Sequence, residues 1–182
     1  MREGAVMLRK SICIAGLYLA GLSSACASVY LAPEIVYRAI SANNIAFNGV
    51  SPSLALGYDE MLSERFYAGV EVFDNLATIK IYNNSNNFGS LRTTYSYGAS
   101  ILPGINFDNT IMGYLRIGMI RTHFSNLNVN KSGAQYGLGI QWAISGPWSA
   151  RLEYAYTKYS DISNIGHPTA NQFSIGLMYH FC

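Results

Sequence analysis

The sequence has little charge, few cysteines and no long apolar run. Charged residues make up 12% of the 182 residues, about half the share of an ordinary soluble domain, and the net charge is only +2. No basic run is present, which argues against a nucleic-acid partner. The apolar run at residues 11–22 is too short for a membrane helix, which needs about 20 residues. The three histidines are scattered and form no metal-ligand cluster with cysteine, and no phosphate loop is found, so we expect no metal and no cofactor.

The first 27 residues are predicted to be a signal peptide. Two basic residues precede the 11–22 run, and Ala-Cys-Ala at 25–27 supplies small residues at both positions that a signal peptidase reads. A lipid-modified Cys26 is disfavoured because Ser23 stands where such motifs prefer leucine. Cleavage after Ala27 leaves one mature domain over residues 28–182, with Cys182 as its single cysteine and therefore no internal disulfide.

The mature chain shows apolar and polar residues in alternation along its whole length. In residues 134–142, the clearest segment, Ala, Tyr, Leu, Ile and Trp alternate with Gln and Gly. Such a period of two indicates a β-strand with two different faces. Eight segments show it: residues 29–39, 50–59, 66–73, 92–102, 111–122, 134–142, 150–157 and 171–182.

The connections between these segments alternate in length. Antiparallel strands with long loops on one side and tight turns on the other are typical of outer-membrane barrels. We therefore predict an all-β fold, an eight-stranded antiparallel up-and-down transmembrane β-barrel. The long, Asn/Ser-rich connections are 40–49, 74–91, 123–133 and 158–170, and the short ones are 60–65, 104–110 and 145–149.

The apolar face of this barrel is predicted to point outward. A soluble lipocalin-like barrel would place the apolar face inside. However, that face carries no charge in the predicted membrane band, where a charge costs about 2–4 kcal/mol at the bilayer midplane. The other face is rich in small residues, which suit the narrow lumen of eight strands. Its charges balance in sign and are predicted to form a lumen network: Glu34, Arg38, Glu71, Arg116, Arg151 and Glu153.

The chain resembles the OmpX/OmpA-type small outer-membrane barrels. The resemblance is carried by the Ala-Cys-Ala signal end, GYLRIGMIRT (113–122), WSARLEYAY (148–156) and FSIGLMYHF (173–181). It implies a bacterial outer-membrane location, contact with outer-membrane lipid and lipopolysaccharide, and assembly by the barrel-assembly machinery. In such families a C-terminal strand that ends in phenylalanine is the signal that this machinery reads. The residues that fit that signal are Ile175, Leu177, Tyr179 and Phe181, with Cys182 as a departure at the very end.

Three functions are compatible with such a barrel. The first is a non-enzymatic role in envelope integrity or surface/host interaction, in which a monomer meets a host or surface ligand through its loops, chiefly residues 74–91. The second is a narrow porin-like channel through the charged lumen. The third is a lipid A deacylase, because His123-Phe124-Ser125-Asn126 is similar to the His-x-Ser-Asn of PagL-type enzymes. The glutamate that completes that site is replaced by Gly137, so we predict that the protein is not an enzyme.

Overall fold

The computed structural model of the chain describes residues 27–42, 45–76, 79–80, 92–108, 110–124, 129–161 and 167–181. Among these residues no helix is long and apolar enough to cross a membrane. The strands are β1 (Ala27–Ala42), β2 (Ile45–Met61), β3 (Phe66–Asn75), β4 (Ile79–Lys80), β5 (Arg92–Asn106), β6 (Ile111–Phe124), β7 (Val129–Ser145), β8 (Trp148–Tyr159) and β9 (Thr169–Phe181).

Eight long strands close into an antiparallel barrel. Strands β5 to β9 and β1 to β3 each pair with their neighbour in chain order. The seam closes where β9 pairs with β1, and β3 pairs with β5 on the other side. The two-residue β4 also pairs with β5, beside Arg92 and Thr93. Closure leaves no free sheet edge, which a lipid environment requires because it offers no water to unpaired backbone groups. The predicted eight-stranded fold is confirmed.

Successive side chains alternate between a buried inner face and an exposed outer face. On β1, Glu34 and Val36 are buried, whereas Ile35 between them is 61% exposed. On β2, Ser51 is buried and Val50 is again 61% exposed. Exposed large apolar residues occur on every long strand, an arrangement that water would penalise and that lipid favours. The apolar-out orientation follows.

Several strands extend beyond the segments that alternation predicted. The long loop expected at 40–49 is wrong, because Ala42 pairs with Ile45 and only residues 43–44 lie between them. The expected loop at 123–133 also shrinks, since β6 runs to Phe124 and β7 starts at Val129. The backbone ladder continues past the membrane, where both faces are wet and the apolar alternation stops. The longer connections are residues 76–91, which contain β4, and residues 160–168.

The tight turns at the opposite end are built from specific turn residues. Asp108 accepts hydrogen bonds from the backbone N–H groups of Thr110 and Ile111, both at 2.7 Å. These bonds stabilise the carboxylate and lower the pKa of Asp108 below its ordinary value. Gly146 has a φ of 54°, a left-handed conformation that costs an L-residue roughly 1–2 kcal/mol. Both turns therefore follow from local sequence.

The two chain ends lie outside the described residues. The predicted signal peptide (1–27) falls there except for Ala27, the first residue of β1. Cys182 also falls there, one residue beyond β9. The cleavage site and the role of Cys182 stay predictions.

Candidate functional site

The six charges predicted for the lumen all point inward and are buried. Each is at most 8% exposed, so none is in contact with bulk water. A buried charge is tolerated only when it is paired and hydrogen-bonded. Five of the six meet in one group, which we call the ion cluster: Glu34, Glu71, Arg116, Arg151 and Glu153.

Glu71 is the centre of the ion cluster. Its Oε1 lies 2.5 Å from Nη2 of Arg116, and its Oε2 lies 2.5 Å from Nη1 of Arg151. The other carboxylates are outer members: Oε1 of Glu153 lies 2.7 Å from Nε of Arg116, and Oε1 of Glu34 lies 3.4 Å from Nη1 of Arg151. Three carboxylates therefore surround two guanidinium groups, one from β6 and one from β8.

Two tyrosines complete the ion cluster. The hydroxyl of Tyr30 donates to Oε2 of Glu71 at 2.8 Å and accepts from Nη2 of Arg151 at 3.2 Å. The hydroxyl of Tyr114 donates to Oε2 of Glu153 at 2.6 Å. The guanidinium carbon of Arg151 also lies 5.2 Å from the centre of the Tyr30 ring and 5.3 Å from that of Tyr114. Arg151 is therefore held by charge, hydrogen bonds and two cation–π contacts at once.

Glycine makes room for the rings inside the lumen. Three buried tyrosines each lie directly opposite a glycine of the neighbouring strand, and the ring crosses the place where a side chain would stand. A Cβ atom on any of these glycines would come within 2.0–2.3 Å of the opposing ring. No real Cβ approaches so closely, so each ring requires its glycine. The pairs are Tyr30 with Gly57, Tyr67 with Gly104, and Tyr114 with Gly139.

Arg38 lies apart from the ion cluster. Its Nε and Nη2 donate to Oε1 of Gln172 at 3.2 and 2.8 Å, and its Nη1 donates to Oγ of Ser96 at 3.0 Å. No carboxylate lies within 4.0 Å of its guanidinium in the described part of the chain. Glu34 lies four residues before Arg38 on the same face of β1, and it contacts Arg151 instead. The predicted six-residue network is therefore five residues plus a separate, amide-bound arginine.

Apolar and aromatic groups fill the lumen on both sides of the ion cluster. Toward the long-loop end, Tyr159 packs with other buried residues and its hydroxyl lies 3.1 Å from that of Thr122. Toward the tight-turn end, Tyr67, Leu102 and Tyr114 form a second buried group, joined by Met61 and Met112. Buried apolar side chains thus occupy the described interior on both sides of the ion cluster. The long-loop group also includes Ile40, Ile120 and Ala170.

A polar group that the sequence did not reveal lies at the tight-turn mouth. Ser28 donates to Oδ1 of Asp59 at 2.7 Å and lies 3.0 Å from Nδ1 of His180. Nε2 of Gln141 lies 3.3 Å from Nε2 of the same histidine. These residues line a cavity of about 210 Å³ that opens at this end. They come from four strands far apart in sequence, so no motif marks them.

The predicted assembly residues share the outer face of β9. Ile175, Leu177 and Phe181 are about half exposed, as expected of a lipid-facing row. Tyr179 stacks edge-on against Trp148 and Phe181, with 5.0 Å between ring centres in both pairs. Phe181 pairs with Val29 at the seam that closes the barrel. The row is thus placed at the closing strand, and its role in assembly stays a prediction.

His123, the first residue of the His-x-Ser-Asn motif, contacts an amide and an aromatic ring. Its Nδ1 lies 2.9 Å from Oδ1 of Asn130, and its ring stacks on Tyr95 at 5.2 Å. Ser125 lies outside the described residues. Gly137 faces the lumen opposite Arg116, away from His123, so that position offers no acid to orient the ring.

These features define a class of protein, the small outer-membrane β-barrel with a filled lumen. The sequence matches the outer membrane protein beta-barrel domain over residues 17–181, and the chain belongs to that family. Among solved structures, Neisserial surface protein A (NspA) matches with a TM-score of 0.60 at 17% identity, over 85% of this chain and 99% of that one. Ail, the attachment invasion locus protein of Yersinia pestis, in complex with the heparin analogue sucrose octasulfate, matches at 0.58 and 13% identity, over 85% and 99%. No curated protein matches the sequence.

The separation of Arg38 from the ion cluster predicts unequal effects of two arginine substitutions. Arg116→Met leaves Glu71 and Glu153 without a shared partner in a dry lumen, and should lower the free energy of unfolding by about 3–5 kcal/mol. Arg38→Met removes the donors from an amide oxygen of Gln172 and one of two donors from the hydroxyl of Ser96, at a cost of about 1–3 kcal/mol. Urea unfolding in detergent micelles, followed by the heat-dependent gel shift of folded barrels, measures both. Equal losses would show that Arg38 belongs to the ion cluster.

Proposed function

We propose that the protein is a non-enzymatic, monomeric outer-membrane barrel that presents its longer loops at the cell surface for envelope integrity or interaction with a host or surface ligand. The observation that carries this proposal is the filled lumen. With the ion cluster and two layers of large side chains inside, the interior offers little continuous path for solute. The loops of such a barrel can change in sequence without disturbing the packed lumen, because their backbone lies outside it.

The composition of the longest connection supports a surface role. Residues 76–91 contain four asparagines and two serines, with Lys80 as their single charged residue. Amide and aromatic side chains would therefore supply most of the recognition. The two similar structures are in line with a surface role. NspA is a surface protein, and Ail, an attachment invasion locus protein, was solved with a heparin analogue.

Replacing residues 82–89 with a short Gly-Ser linker tests this role. Cells that express the variant should adhere less to cultured epithelial cells and to immobilised heparin than cells with the unaltered protein. The gel shift should be unchanged, because the replaced segment begins after β4 ends at Lys80. A matched linker in place of residues 62–65, at the opposite end of the barrel, is the control and should adhere normally. Unchanged adherence of the 82–89 variant would contradict the proposal.

The purified barrel is expected to be inert in two assays. In planar lipid bilayers it should give no steady single-channel openings, since the lumen is filled. When the barrel is incubated with lipid A, no acyl chain should be released, because no carboxylate contacts His123 among the described residues. Steady openings that change with Arg116→Met would show a channel instead. Acyl release that disappears in Ser125→Ala would show an enzyme.

We also propose that the outer row of β9 is what the barrel-assembly machinery binds. Phe181→Ala should lower the amount of folded protein in outer-membrane fractions, because it removes the last aromatic of that row. Leu152→Ala, a similarly exposed apolar residue on β8, is the control and should assemble normally. Refolding of both purified variants into detergent should be equal, which separates recognition from stability. Normal assembly of Phe181→Ala would refute the proposed signal.

A further inference from the structure

An apolar slot lies on the outward face of strands β2, β3, β5 and β6. It consists of two adjoining cavities of about 650 and 720 Å³ that lie end to end along the barrel wall. Both are lined almost entirely by apolar surface. The residues that the two cavities share form one row across the four strands: Leu56, Val72, Ala99 and Met119.

The slot exists because one small side chain interrupts this row. Ala99 pairs directly with Val72 on one side and Met119 on the other. Those two side chains are 53% and 67% exposed and stand above it as walls. The floor at Ala99 lets the upper and lower cavities meet. The result is a continuous apolar groove on the barrel surface, open to the lipid side, that can accommodate a hydrocarbon chain.

The head of the slot, toward the long-loop end, is polar. The next row up contains Tyr97, Arg121 and Ser132, which pair with each other across β5, β6 and β7. Arg121 points outward and is exposed. The outward residues below it, toward the middle of the membrane, are apolar. A cation there is tolerated only near the membrane interface, where the cost of a lipid-facing charge falls. The slot therefore begins at headgroup level.

A second outward cation lies two strands from Arg121 and one row nearer the tight-turn end. Lys158 on β8 points outward, and Ala134 of β7 pairs with both Lys158 and Met119. The two residues of β7 that separate the cations, Ser132 and Ala134, are small. The space between the two cations is thus open to a ligand. Cations at the interface attract anionic lipid headgroups.

We propose that this slot is a binding site for a phosphorylated glycolipid of the outer leaflet, with a phosphate between Arg121 and Lys158 and one acyl chain in the slot. The charge of the head and the apolar length below it match the two parts of such a lipid. The hydroxyls of Tyr97 and Ser132 are further donors within the same row. The site uses the barrel wall alone and does not depend on the proposed function of the loops.

Asp74 sets the boundary of the site. It lies in the same row on the far side of Tyr97, two strands and about 10 Å from Arg121 along the sheet. Its carboxylate opposes a phosphate on its own side and so restricts the headgroup to the side of Arg121. Removing this charge should strengthen binding rather than weaken it.

Native mass spectrometry of the full-length mature barrel, titrated with purified lipid A, tests the site. Arg121→Gln and Lys158→Gln should each weaken binding about fivefold, the effect expected for one cation at a membrane surface. Ala99→Phe should weaken it about tenfold, because it fills the slot and prevents burial of at least two methylene groups. Asp74→Asn should tighten binding. The gel shift verifies that every variant is folded.

Matched controls separate the slot from the rest of the surface. Arg65→Gln removes an exposed cation at the tight-turn end, and Ala39→Phe enlarges an outward alanine of β1; both should bind lipid A as the unaltered barrel does. Dephosphorylated lipid A should bind weakly. Equal binding of phosphatidylglycerol would overturn the assignment of a glycolipid. Binding that Ala99→Phe leaves unchanged would overturn the slot, and binding that Arg121→Gln leaves unchanged would overturn the phosphate site.

Discussion

The bridge that Glu71 forms between Arg116 and Arg151 is the constraint on which the rest of the barrel depends. These residues come from β3, β6 and β8, so the bridge crosses the lumen and joins walls that share no backbone ladder. In a dry interior each partner is costly unless all are in place. A change in strand stagger would move a carboxylate away from its guanidinium. The ion cluster therefore fixes the relative heights of strands whose outer faces, being apolar across the middle of the membrane, would tolerate other heights.

The small residues of the inner face are the counterpart of these large ones. An eight-stranded barrel leaves an interior only as wide as its own side chains. Arginines, glutamates and tyrosines fit there because glycine, alanine or serine stands opposite them; Arg151, for example, lies opposite Gly176. The abundance of glycine in the sequence is thus a packing requirement of the lumen. The same packing of the lumen is the reason why we propose a role for the outer surfaces of the barrel.

Alternation in the sequence was enough to predict the eight strands, the outward apolar face and the inward position of all six charges. It could not predict strand ends, because residues such as those around Ala42 and Ile45 continue the ladder where both faces are wet. Nor could it separate Arg38 from the ion cluster, since contacts across the lumen depend on stagger rather than on spacing along one strand. The Ser28–Asp59–His180 group and the slot at Ala99 were missed for the same reason. Both appear only when strands distant in sequence are aligned row by row.

The three tyrosine–glycine pairs restrict how the strands that carry them can be aligned. Each ring passes over its glycine only when the two strands are in correct alignment. A slip of one residue would turn the ring, and the charged residues on the same face of its strand, toward lipid. A slip of two would set Tyr30 against Ala55 or Asp59, and Tyr67 against Leu102 or Asn106. The pairs join β1 with β2, β3 with β5, and β6 with β7, so they are spread around the barrel. Steric fit therefore restricts the strand register at three places where the ion cluster does not reach the paired glycine.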